Sequence, residues 1–135
     1  ALQREIGMAL IFITHDLSVV SEICDDVAVM YAGKIVEHAT KQLLFKDPRH
    51  PYTRGLMAAM PRLDSRRKQN LPVIRGAVPA LTEMPEGCRF GNRCHYAMTG
   101  CRLISPPLVT VSNTHKVACH LYPGMTQISK AGDDA

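Results

Sequence analysis

No apolar run in these 135 residues approaches the roughly 20 needed to cross a bilayer. The longest, Met8 to Ile13, has the length of a buried strand. Membrane association is therefore expected to run through a partner, with no insertion of the chain itself. A dense basic block is missing too. The formal charge of +4 comes from lysines and arginines scattered among acids, which leaves a weak nucleic-acid footprint, so nucleic acid is not expected as a partner. No charged region leads into an apolar stretch with a small-residue cleavage site, and a cytosolic compartment is the expectation. The chain opens at Ala1, without an initiator methionine and inside what reads as a helical pattern, which suggests truncation.

What is present is a composition of 46% apolar residues, which places the chain among soluble globular proteins of one modest domain or two small pieces. Five cysteines are many for this length. An odd number in a reducing compartment argues for metal binding ahead of a disulfide framework.

Residues 1 to 7 read as the tail of a helix closed by Gly7. Met8 to Thr14 (MALIFIT) is apolar and rich in β-branched residues, the pattern of a strand buried on both faces of a parallel sheet. His15 and Asp16 form a polar corner, with Asp16 as N-cap of a helix whose stripe is Leu17, Val20, Ile23 and Cys24. Val27 to Tyr31 and Lys34 to His38 read as a β-hairpin with positive φ at Gly33. A helical turn over Thr40 to Phe45 stops before Asp47-Pro48. His50-Pro51 starts another helix, with Leu56, Met57 and Met60 on one face and Pro61 at its end. Periodicity then disappears from Arg62 to Pro85, a proline-bearing linker or wrapping arm that includes the basic run Arg66-Arg67-Lys68. Residues 87 to 123 hold four cysteines and little material for a core of their own, so a cross-link or metal is expected to supply stability.

A histidine placed directly after a buried parallel strand sits where open α/β folds bind ligands. From the pattern alone, a structural histidine capping nearby backbone is the plainer reading of His15. Ile-Phe-Ile-Thr-His-Asp-Leu (11 to 17) with Val-Met-Tyr-Ala-Gly-Lys-Ile-Val-Glu (29 to 37) resembles the switch-histidine strand and following hairpin of ABC transporter ATPases. Arg-His-Pro-Tyr-Thr-Arg-Gly-Leu-Met-Ala-Ala-Met-Pro (49 to 61) and the cysteine module are similar to the dipeptide, oligopeptide and nickel importer branch. The resemblance runs collinearly from residue 1 to about 123.

The resemblance implies an α/β fold. Residues 1–47 would be the C-terminal end of an ABC ATPase domain (buried strand, helix, hairpin) and 48–86 a helical connector and proline-rich linker. A small irregular cysteine-rich module would follow over 87–123, and a flexible tail over 124–135. It implies that His15 is the switch histidine, contacting the γ-phosphate of ATP and helping to position the attacking water, with Asp16 as the cap that orients the corner. In the parent, the partners would be membrane-embedded permease subunits and a second ATP-binding subunit, at the inner face of the cell membrane. The departures matter equally. No G-x-x-x-x-G-K-[ST], no Ser-Gly-Gly signature and no strand ending in Asp-Glu occurs in the sequence. ATP and magnesium are therefore expected only in the complete parent, and this chain alone is expected not to be an enzyme. Relatives often have a glycine between Glu37 and Lys41 where this chain has none, so the end of the hairpin is expected to differ.

Cys88, Cys94, Cys101 and Cys119 follow the pattern C-x5-C-x6-C-x17-C, a complete set of four sulfur ligands. The spacing is wider than in zinc knuckles, yet the chemistry leaves both zinc and iron-sulfur open. The importer resemblance implies a four-iron four-sulfur cluster, with zinc as the alternative. Two disulfides or four unlinked thiols are the plain alternatives to any metal. His115 and His120 flank the last cysteine and are read as exposed loop histidines that could otherwise support the ligands. Arg89, Arg93 and Arg102 are expected to offset thiolate charge. Cys24, on the helix stripe, is expected to be a buried inert thiol. A free-standing metal-binding or redox-sensing module is the competing functional reading.

Overall fold

The computed structural model describes residues 2–60 and 72–123. The basic run at 66–68, the helix-ending Pro61 and the tail from 124 lie outside the described residues. Four helices, α1 (Leu2–Ile6), α2 (Leu17–Ile23), α3 (Lys41–Lys46) and α4 (Pro51–Ala58), precede a fifth, α5 (Thr99–Leu103). Strands β1 (Asp26–Tyr31), β2 (Lys34–Thr40), β3 (Val109–Ser112) and β4 (His115–Val117) form one sheet in the order β1-β2-β4-β3, antiparallel throughout. The result is a small α/β domain.

The hairpin forms as its sequence demands. Val27, Val29 and Tyr31 alternate inward along β1, and the turn takes positive φ at Gly33 (79°) and also at Ala32 (46°), a pair of left-handed residues that suits the strand twist. Beyond Val29 the register slips, so that Val29 faces Glu37 and Met30 faces Ile35. A bulge of this kind turns the end of a strand. The cysteine-bearing segment adds its own strand directly to this hairpin: Glu37 pairs with Val117 and His38 with Lys116, and the Ala118 amide donates to the Val36 carbonyl at 2.8 Å.

The core lies on one face of the hairpin, under α2, α3 and α4, and includes Val20, Val27, Val29, Tyr31, Val36, Ala39 and Leu44. Phe90, from the cysteine-bearing segment, completes it. Its ring meets Tyr31 edge-on with centroids 5.2 Å apart, and Tyr52 lies at 5.5 Å. The segment thus contributes a large ring to a shared core, and removing a buried phenylalanine of this type costs about 3–5 kcal/mol. The arm after residue 72 packs back as well. Ile74 fills the space over Gly55, where any Cβ would come within 2.8 Å of its side chain, which is why α4 carries a glycine there.

One expected element is not formed. Met8 to Thr14 is neither strand nor helix, and Leu10, Ile11, Phe12 and Ile13 are all at least half exposed, Ile13 at 95%. A strand of this composition belongs between two others, and among the described residues nothing pairs with it. Backbone groups left without a ladder find water instead. The turns on either side form regardless: Gly7 closes α1 at φ 64°, and Asp16 caps α2 by accepting the Ser18 amide at 2.9 Å.

Candidate functional site

Local hydrogen bonds fold the cysteine segment into successive tight turns. The Cys88 amide donates to the Cys101 carbonyl at 2.7 Å, which brings the first and third cysteines together at the backbone level. Gly91 donates to Cys88, Arg93 to Phe90 and Cys94 to Gly91 around a short 3₁₀ turn, Gly91–Arg93. Cys101 lies in α5, and its sulfur receives the Met98 amide at 3.4 Å. Cys119 follows β4 and turns back through Tyr122, whose amide donates to its carbonyl. Gly87 makes the approach possible: an added Cβ would stand 2.6 Å from the Arg102 carbonyl carbon and closer still to the Cys101 oxygen.

The four cysteines open on a single cavity, with His50, Phe90 and His120 also on its wall. All are free thiols. Burial raises the pKa of Cys88, of Cys94 and of Cys119, the last to about 11, and the neighbouring sulfurs add to the effect. Thiols in this state are protonated at neutral pH and bind a metal only by releasing protons. Among the described residues no three His, Cys, Asp or Glu side chains come close enough together to hold a metal ion. The four cysteines thus share one cavity wall as free thiols. In kind and number, four thiols on one cavity wall are a donor set of the type that holds a sulfur-bound metal group.

The other residues singled out from the sequence fall elsewhere. His15 is exposed at the corner before α2 and does not line the cavity. Cys24 is the C-cap of α2, partly buried against the core edge. His115 is not an exposed loop histidine: it is 2% exposed, and its Nε2 lies 2.6 Å from Glu37 Oε1. His120 stands on the cavity wall, with Nε2 2.8 Å from the Ile104 carbonyl. The arginines do not serve as counterions to the sulfurs. Arg89 donates to the Ala32 carbonyl in the hairpin turn, and Arg93 donates to the carbonyls of Arg75 (2.9 Å) and Ile74 (3.1 Å), so both lash the segment to its neighbours. Arg102 is exposed. The cation that offsets Cys88 is Lys34.

Sequence reasoning missed Glu37 and His50. Glu37 is fully buried on β2 and accepts three hydrogen bonds: from the amides of Arg49 (2.7 Å) and His50 (2.9 Å) and from His115. His50 is 1% exposed and caps α4 by accepting the Tyr52 amide on Nδ1 at 3.0 Å. Burial lowers its pKa to about 4 despite the Glu37 carboxylate, which pulls the other way. A signal existed in Arg-His-Pro-Tyr, since a histidine just before an N-terminal proline occupies a cap position.

Residues 36–101 match the family described as the oligopeptide/dipeptide transporter, C-terminal region. The match spans just under half of the chain. The match takes in Glu37, His50, Cys88, Cys94 and Cys101 and stops short of Cys119. The oligopeptide transport ATP-binding protein OppD of Bacillus subtilis is 51% identical over 116 residues, covering 86% of this chain and 32% of that protein. Proteins named as peptide import ATP-binding proteins are similar too: one from Brucella ovis at 46% over 123 residues, 87% of this chain and 36% of the relative, and one from Brucella abortus at 46% over 121 residues, 90% and 35%. The chain spans about a third of the length of the curated relatives it matches. The importer resemblance read from the sequence is borne out, and the cysteine-bearing segment shares one sheet and one core with the hairpin.

Proposed function

We propose that the chain is the C-terminal part of the energy-coupling ATP-binding subunit of an ABC importer for peptides or a related solute, and that Cys88, Cys94, Cys101 and Cys119 hold a four-iron four-sulfur cluster. The observation that carries the cofactor reading is the convergence of all four thiols on one cavity. Four cysteine sulfurs on one cavity wall are a complete ligand set for such a cluster, and a zinc ion, with four sulfurs about 2.3 Å from its centre, is the alternative. When bound, the cluster supplies redox sensitivity and a cross-link between α5, the turns after Gly87 and the end of β4.

Hydrolysis belongs to the complete subunit. There His15, at the corner before α2, donates a hydrogen bond to the γ-phosphate of ATP, while the phosphate loop and magnesium ligands come from sequence this chain does not contain. The exposed apolar run from Met8 to Ile13 supports this reading, because it has the composition of a central strand and the exposure of one without neighbours. No helix among the described residues is long and apolar enough to cross a membrane, in keeping with a subunit that works at the inner face of the membrane against permease partners and a second ATP-binding subunit.

The test is a set of single replacements, made and purified without oxygen. Cys→Ser at 88, 94, 101 or 119 lowers bound iron and also loosens residues 87–123, because ligation and folding are coupled in so small a unit. Cys24→Ser leaves iron unchanged. Iron retained in full by all four variants contradicts the ligand set.

A further inference from the structure

His50 is held at its backbone amide, at Nδ1 and against the Phe90 ring. Its backbone amide donates to Glu37 Oε2 at 2.9 Å, its Nδ1 accepts the Tyr52 amide at 3.0 Å, and its face lies 5.7 Å from the Phe90 centroid. An imidazole whose Nδ1 accepts a hydrogen bond carries its proton on Nε2 when neutral. Burial keeps it neutral, with a pKa lowered to about 4. The structure therefore fixes a single N–H, at Nε2. That atom is fully buried and has no hydrogen-bond partner among the described residues, and the residue lines the cavity shared by the four cysteines. A buried donor left unpaired is unfavourable, and natural structures retain one where something absent completes it.

We infer that the Nε2–H of His50 donates a hydrogen bond to the sulfur-bound group held by Cys88, Cys94, Cys101 and Cys119. This rests on the cofactor reading above. His50 is then a positioning residue that acts through the group's sulfur atoms, not a fifth ligand. A donor aimed at a cluster or cysteine sulfur stabilises the more negative, reduced state and raises the reduction potential. The same ring is the N-cap of α4, so the charge on the bound group acts directly on the start of that helix.

Two replacements separate the donor from the cap. Asn at position 50 reaches the Tyr52 amide with Oδ1 but offers nothing at the Nε2 position. Gln places an amide N–H near the Nε2 position and loses the cap. Wild type, H50N and H50Q are reconstituted without oxygen using ferrous iron and sulfide. Iron and sulfide content, midpoint potential and the shift of iron–sulfur vibrational bands in heavy water are then read. The expected result is full loading in all three, a potential moved to more negative values in H50N with loss of the heavy-water shift, and restoration of both toward wild type in H50Q. A loaded H50N with unchanged potential and vibrational shift overturns the inference and leaves the cofactor reading intact. Loss of iron from H50N alone also overturns it, in favour of direct ligation or a purely structural role. Wild-type chain that takes up no iron and sulfide removes the cofactor reading, and the inference falls with it.

Discussion

Glu37 Oε1 and His115 Nε2 lie 2.6 Å apart, one on β2 and the other on β4, with less than 3% of either side chain exposed. The contact ties the β1–β2 hairpin to the strand that precedes the last cysteine. Glu37 also receives the Arg49 and His50 amides, so one carboxylate organises the sheet, the entry to α4 and the histidine beside the thiols. Glu37→Ala strands three donors in the interior and is expected to destabilise by about 3–5 kcal/mol. Glu37→Gln, which keeps an acceptor oxygen, is expected to cost less. Denaturant titration of the two variants checks the order, and equal losses contradict it.

Gly87 is required by a close approach. Its neighbours in α5 leave no room for a Cβ, and the Cys88 to Cys101 backbone hydrogen bond depends on that closeness. Gly87→Ala is expected to destabilise by about 1–3 kcal/mol from overpacking and to lower metal loading in parallel. Gly100→Ala serves as the control, since a Cβ there meets nothing within 4 Å. Melting temperature and bound iron distinguish the pair.

The buried His50 makes stability depend on pH. Its folded pKa is lowered to about 4 from 6.5, so between those values the unfolded chain binds the extra proton. Stability from this residue is present in full above pH 6.5 and is lost as pH falls toward 4. The ceiling is about 3 kcal/mol at roughly 1.4 kcal/mol per pKa unit. Metal-free wild type and His50→Asn, unfolded by denaturant at pH 7 and pH 4.5, are expected to differ in slope, the wild type losing more. Identical losses contradict the assignment to His50.

Much of this was legible in the sequence, for local reasons. Alternation in Val27 to Tyr31 and the Ala32-Gly33 corner define the hairpin, Asp16 and Pro51 mark helix starts, and the four-cysteine pattern identifies the residues that converge. The long-range parts were not legible. Nothing in the spacing of His115 says that β4 will pair with β2 and bring that histidine against Glu37. Nothing near Phe90 says that its ring will close a core built sixty residues earlier. The Met8 to Thr14 run shows the opposite limit: its composition reads as a central strand, yet a strand needs partners, and among the described residues none pairs with it.

For His15 the expected effect appears only in a complete ATP-binding subunit carrying this C-terminal sequence. His15→Ala there should lower turnover by roughly 10²-fold or more while leaving ATP affinity nearly unchanged, the pattern of a donor that acts on developing charge. Steady-state hydrolysis and equilibrium nucleotide binding, measured side by side, decide it. Equal losses in both assign the residue to ordinary substrate binding.

Metal and sulfide analysis of the chain purified without oxygen decides whether the four thiols hold a cluster. The expected result is brown protein with iron and acid-labile sulfide near four each per chain, on the order set by the cluster type, bleaching on exposure to air. Colourless protein with one zinc per chain, or metal-free protein under the same conditions, would contradict it.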